Sequence, residues 1–290
     1  MSNRRFRNCE KNPGHHTFIP AREFSITDLP VPLKSDVVLR YVTNYSARTV
    51  RLRTSYTSLD RPDYAGYRGS CTLRVASGWV CAVSFLGGPC KCLECFSSGS
   101  RPADRSWEVT VATSCHAVFN TEEAKKTGVD FFYEDEDSPK SGKMRTLWGH
   151  EVEYADPPDD KCLFGCITHD EEFAVLLENL RKERVDLWED ILNVAPFDME
   201  HSQCIAISHP HGLQKHITVG QQIEIVQRPA GSQPYYTYTA DTCPGSTGGP
   251  VLVLPGRDCP DPGWLPIVLH HRGSSQEGYN FSGERSSMGV

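Results

Sequence analysis

The sequence predicts an all-β protein of the barrel or sandwich class, and three observations carry that prediction. Short runs rich in β-branched and aromatic residues recur from residue 69 onward, at 72–75, 78–85, 107–112, 129–133, 173–177, 204–208, 216–219, 223–227, 235–240, 251–254 and 265–269. Glycine and proline punctuate the gaps, as turns between short strands require. Helical patterns are missing from most of those gaps, whereas a parallel sheet needs a helix in each crossover.

Residues 1–65 read as an N-terminal extension ahead of a main domain at 66–290. Pro20, Pro30 and Pro32 space the extension, and Asp36 caps a short helix over 36–42. Residues 47–54 alternate apolar and basic side chains as an edge strand does, and Arg61-Pro62-Asp63 ends that run. Two helical patterns interrupt the β-rich remainder. One is a short piece at 121–126. The other is an insertion at 176–193, where Leu177, Leu180, Val185, Leu187 and Ile191 recur at helical spacing.

Composition narrows the function classes. The chain has 290 residues and a formal net charge of −7, which gives no basic face for nucleic acid. The acidic run Glu134-Asp135-Glu136-Asp137 reads as a solvated loop. No apolar run approaches the roughly 20 residues needed to span a bilayer. Arg4, Arg5 and Arg7 are not followed by the apolar stretch of a secretory signal, so the expected compartment is the cytoplasm. The 12 cysteines are then expected to be mostly reduced.

The most specific motif is Thr242-Cys243-Pro244-Gly245-Ser246-Thr247-Gly248-Gly249-Pro250, which runs into an apolar strand. Glycines there let the backbone fold tightly and approach a substrate. The stretch resembles the Cys-x-Gly-x-Ser-Gly-Gly-Pro nucleophile turn of trypsin-like proteases. That resemblance implies a two-barrel chymotrypsin-like fold and covers residues 69–290, most like intracellular trypsin-like domains of invertebrates. Its register puts Thr247 at the nucleophile, with Ser246 as the alternative. The N–H groups of Gly245 and Thr247 would form the oxyanion hole.

Family order places the base and the acid ahead of the nucleophile. His116 ends the strand-like run 107–112 and its Thr113-Ser114-Cys115 extension, resembling the family's Thr-Ala-Ala-His segment, and is the general base. The family sets an Asp just before an apolar strand. Asp170 precedes Phe173-Ala174-Val175-Leu176 and is the preferred acid, with Glu172 as the alternative. His270 and His271 lie on the strand that lines the specificity pocket, which implies preference for Gln or Glu side chains. The turn Ser208-His209-Pro210-His211-Gly212 is read as structural, a polar turn in preference to a metal-binding pair of histidines.

Two departures stand out. Thr247 replaces Ser, and Ser246 occupies the position where trypsins keep an Asp that pairs with a freed N-terminus. The resemblance therefore implies a trypsin-like peptidase acting on polypeptide, or an inactive relative that binds peptide in the same cleft. Neither needs a cofactor for chemistry. A structural zinc is a separate expectation. Cys90, Cys92 and Cys95 supply three ligands, and the fourth comes from Cys166, or from Cys162 or His169.

Overall fold

The computed structural model describes residues 6–62, 65–87, 90, 92, 95, 104–194, 202–226, 235–254, 267–273 and 278–285. A two-residue strand β1 (Ile19–Pro20) and helix α1 (Asp36–Arg48) come first. The cap of α1 is Ser35, whose Oγ accepts from the Val38 N–H at 3.2 Å. Asp36, expected as the cap, instead sits in the first turn, where its charge suits the positive helix end.

Alternation of side chains explains the first barrel. Strand β2 (Thr49–Thr54) reads Thr-Val-Arg-Leu-Arg-Thr. Val50 and Leu52 point inward and are fully buried. Arg51 and Arg53 point outward, each 2.7 Å from Asp130 on a neighbouring strand. The barrel adds β3 (Arg74–Leu86), β4 (Ser106–Thr113), β5 (Thr127–Phe131), β6 (Arg145–Asp156) and β7 (Lys161–Thr168), closing in the order β2-β3-β4-β7-β6-β5. Val80, Val109, Val111, Val129, Phe131 and Phe164 fill it.

This corrects the expected boundary at residue 65. Residues 49–54 pair with both β3 and β5, so they are a wall of the barrel and not an edge strand of an extension. Alternation alone does not reveal how many neighbours a strand has.

The second barrel comprises β8 (Gln203–Ser208), β9 (His216–Val226), β10 (Tyr235–Tyr238), β11 (Pro250–Leu254), β12 (Ile267–Gly273) and β13 (Asn280–Arg285). Pairing runs β9-β10-β13-β12-β11-β8, and the β8–β9 pair closes the ring, with β1 laid outside β9. The molecule is thus an all-β protein with the two-barrel chymotrypsin-like fold.

Among the described residues, two further α-helices follow, α2 (Thr121–Ala124) and α3 (Glu171–Val194). The expected strand at 173–177 is the start of α3. Phe173, Ala174 and Leu177 are buried at helical spacing, while Val175 and Leu176 between them are exposed. Helices α1 and α3 share one apolar cluster at the seam between the barrels. Tyr41, Tyr45 and Trp188 meet Trp79 of the first barrel and Ile205, Ile207 and Leu252 of the second. Glu134 is more than a solvated loop residue, because the buried Lys215 ammonium lies 2.6 Å from its carboxylate. Among the described residues, no helix is long and apolar enough to cross a membrane.

Candidate active site

The first barrel contributes an imidazole and a carboxylate. Beyond β4 the chain turns through Ser114–Ala117, with the Ala117 N–H donating to Ser114 Oγ at 3.1 Å. His116 stands on this turn, its side chain 45% exposed. The carboxylate is Asp160, in the tight β6–β7 turn. Its Oδ1 lies 2.7 Å from His116 Nδ1 and accepts the His116 backbone N–H at 2.8 Å. Its carbonyl accepts the Cys115 N–H at 3.3 Å. Asp160 is held at φ +51°, in the left-handed region that non-glycine residues rarely adopt. With the ring proton held on Nδ1 by the carboxylate, Nε2 becomes the basic nitrogen.

A buried charge network lies beneath that turn. Arg61 is fully buried and donates to the carbonyls of Cys115 at 2.8 Å and His116 at 3.0 Å. Arg74 donates to the His116 carbonyl at 3.2 Å. Both arginines pair with the buried Glu123 of α2, at 2.7 Å and 2.9 Å. Burial alone would raise the Glu123 pKa. Hydrogen bonds from Arg61 and Ser58 and the charges of Arg74 and Arg61 outweigh it and hold the carboxyl below its usual range. Neither this network nor Asp160 was anticipated from the sequence.

Asp170 and Glu172 are not at this site. Asp170 caps α3, its Oδ1 accepting the Phe173 N–H at 2.9 Å, and its other oxygen pairs with Arg145. Glu172 is exposed in the first turn of the helix. The physical reason is that 173–177 is helical, so the polar residues before it form a helix cap. The carboxylate that does precede a strand beside His116 is Asp160, ahead of β7.

The second barrel contributes the glycine-rich turn. Gly248 adopts φ +81°, and a Cβ there would strike Thr113 Oγ1 and the Ser77 carbonyl. The turn is stitched to both barrels. Ser77 N–H donates to the Thr247 carbonyl at 2.9 Å, Ser77 Oγ to the Gly245 carbonyl at 2.8 Å, and Gly248 N–H to the His270 carbonyl at 2.8 Å. Ser246 faces inward and is fully buried. Its Oγ accepts from Ser208 Oγ at 2.9 Å and from the Cys243 N–H at 3.2 Å. That orientation removes Ser246 as the alternative nucleophile.

Gly245 takes φ +100°, and a Cβ there would lie 2.7 Å from the His209 carbonyl oxygen. The Pro244 carbonyl accepts the His211 N–H at 2.5 Å. Because a trans peptide sets its C=O and N–H on opposite sides, this bond turns the Gly245 N–H away from the β8–β9 turn. Among the described residues, the N–H groups of Gly245 and Thr247 donate to no protein acceptor.

His116 and Thr247 line one cleft of about 790 Å³, together with Leu73, Val75, Gly245 and His270. That volume suits a ligand of several residues' breadth or a drug-sized molecule. His270 is buried, with Nδ1 2.5 Å from the Tyr238 hydroxyl. Burial raises the Tyr238 pKa well above its ordinary value, so the phenol keeps its proton. The side chain of His271 lies outside the described residues.

The three cysteines of the first group do converge, but on a different fourth residue. His169 Nε2 lies 2.9 Å from Cys90 Sγ and 3.6 Å from each of Cys92 Sγ and Cys95 Sγ. Backbone N–H groups of Cys92 and Cys95 donate to Cys90 and Cys92 sulfurs at 3.3 Å and 3.4 Å. Three sulfurs and a nitrogen so grouped fit the donor set of a tetrahedral zinc. Cys166 and Cys162 do not join them. Strand alternation turns both into the first barrel's core beside Phe164.

No family model matches the sequence. No curated protein matches it either. Among solved structures, the HtrA-type protease AlgW with a tripeptide is similar at 13% identity and a TM-score of 0.45, over 85% of this chain and 59% of that one. The Rv3671c protease from M. tuberculosis in its active form is similar at 14% identity and a TM-score of 0.45, over 88% of this chain and 82% of that one. The chain therefore spans about 59% of the length of the HtrA-type protease it resembles.

Proposed function

We propose that this chain is a trypsin-like peptidase that uses Thr247 as its nucleophile and a polypeptide as its substrate. The supporting observation is a single cleft in which a buried-acid/imidazole pair from one barrel and a glycine-rich turn from the other both take part. In this mechanism Thr247 Oγ1 attacks the scissile carbonyl carbon and His116 Nε2 takes its proton. Asp160 holds the imidazole orientation and stabilises its positive charge. The N–H groups of Gly245 and Thr247 stabilise the oxyanion. His116 then gives the proton to the leaving amine as the C–N bond breaks, and water hydrolyses the ester by the same route.

His270 sets the preference for Gln or Glu side chains. With Nδ1 accepting a hydrogen bond from the Tyr238 hydroxyl, the ring donates through Nε2 to a side-chain oxygen. A structural zinc on Cys90, Cys92, Cys95 and His169 would fasten the segment after β3 to the end of β7. Thiolates available for zinc suit a reducing compartment such as the cytoplasm.

A second reading, a peptide-binding module without turnover, is favoured by one feature. The extra methyl of Thr247 restricts χ1 and crowds the space beside the scissile carbonyl. A fluorophosphonate probe tests the first reading. Labelling of the parent, lost in Thr247→Ala and kept in Ser246→Ala, is the expected result. An unlabelled parent whose Thr247→Ser variant gains labelling would replace the peptidase with the binding module.

A further inference from the structure

A second group of metal-ligating side chains lies beside the glycine-rich turn. Cys9 and His15 come from the segment ahead of β1. His211 sits in the turn Pro210–Gly212 between β8 and β9, and Cys243 opens the glycine-rich turn. Their ligand atoms all lie within 4.8 Å of one another. Cys9 and Cys243 sulfurs are 3.6 Å apart, Cys243 Sγ is 3.3 Å from His15 Nε2, and the two Nε2 atoms are 3.3 Å apart. Tetrahedral zinc bonds of about 2.3 Å to sulfur and about 2.05 Å to nitrogen predict edges of about 3.8, 3.6 and 3.3 Å for these three pairs.

Two independent features point the same way. His15 and His211 both hold left-handed backbone, at φ +49° and +55°. Such conformations persist where the surroundings over-determine them, and they gather at ligand sites. The shell is also built for a metal. Asn12 Nδ2 donates to Cys243 Sγ at 3.2 Å, and Phe6 stacks on the His15 ring at 3.7 Å while meeting His211 edge-on. A simple hydrogen-bonded pair or a disulfide would use two of these groups and leave the other two converging on the same point.

We infer that Cys9, His15, His211 and Cys243 bind one zinc ion, which fastens the N-terminal segment to the turn carrying Gly245 and Thr247. The ligands stand 196 to 234 residues apart in sequence along the pairs measured, so the metal closes long loops. It also braces the turn, because the ligand His211 donates its own N–H to the Pro244 carbonyl. The site stands whether or not the cleft turns over peptide.

Zinc analysis and thiol protection of the full chain, purified under reductant, test this. The double variant Cys9→Ser/His15→Gln should carry about one zinc per chain less than the parent. Cobalt substituted into the parent should give tetrahedral thiolate bands that the variant loses in part. In the zinc-loaded parent, Cys9 should alkylate about tenfold or more slower than after chelation. The exposed Cys71 serves as the internal control and should react alike in both states. Equal zinc in parent and variant overturns the proposal. So does Cys9 alkylation at the same rate with and without chelator, or a Cys9–Cys243 disulfide in the reduced sample. Should the variant fail to fold, the alkylation measurement on the parent decides.

Discussion

The two halves of the candidate active site are held in different ways. Around His116 the support is ionic. Glu123 is buried between Arg61 and Arg74, and those arginines hold the carbonyls of residues 115–117. Around Thr247 the support is neutral, made of hydroxyls and backbone groups from Ser77, Ser208 and Ser246. Buried ions lose much when one partner is removed, because the other is left uncompensated. Neutral hydrogen bonds lose less, but they do not respond to acid. Leaving the inferred zinc aside, one protein thus carries a half-site held by carboxylates facing one held by groups that do not titrate.

Four experiments break or sharpen that contrast. The largest expected effect is on chemistry. Asp160→Asn should keep the fold and slow turnover or probe labelling by about 10⁴-fold, since the imidazole loses its orienting charge. A variant within tenfold of the parent would detach Asp160 from the mechanism. Next comes Glu123→Gln, which should destabilise the chain by about 3–5 kcal/mol in urea titration, since Arg61 stays buried without its partner. Ser246→Ala should cost less, about 1–3 kcal/mol, from two donors left without their acceptor. If Ser246→Ala proves the costlier of the two, the contrast between ionic and neutral support is wrong.

The smallest effect is on pH. Glu123 and Asp130 both have depressed pKa values. For Asp130, burial pushes upward but is outweighed by the hydrogen bond and charge of Arg53, the charge of Arg51 and a hydrogen bond from Thr146. A depressed carboxyl contributes stability above its unfolded-state pKa and loses it as pH falls toward the folded value. The unfolded values are about 4, so the loss should begin near pH 4 and grow below it. In the zinc-free protein, hydrogen exchange should then show first-barrel amides losing protection before those of the 243–249 turn. Simultaneous loss would mean that the two half-sites melt as one unit.

The glycine-rich turn was legible because its backbone admits few residues. Gly245 and Gly248 occupy positive φ against close neighbours, and that demand shows in the letters. His116 was legible as the end of an alternating strand. Asp160 was not, because the β6–β7 hairpin was missed. Strand β6 exposes residues such as Trp148 and Tyr154, which blurs its alternation, and the cysteines of β7 suggested ligands. The fourth member of the cysteine cluster follows from parity. Cys162, Phe164 and Cys166 share the inward face of β7, leaving His169, beyond its end, to reach Cys90. The 208–212 turn reads from sequence as a polar turn, and its two histidines have different surroundings. His209 is structural, with Nδ1 2.9 Å from the Leu213 carbonyl and its ring stacked on Tyr133. His211 belongs to a constellation whose other members lie far away in sequence, beyond the reach of local pattern.

The inward hydroxyl of Ser246 bears on how such a molecule would be switched on. Where a trypsin keeps an aspartate waiting for a newly cut amine, this chain closes the same turn with an uncharged partner from β8, ready as soon as the barrel forms. The segment ahead of β1 plays a different part: it supplies Cys9 and His15, two of the four ligands of the inferred zinc, and so ties that segment to the turn carrying Thr247.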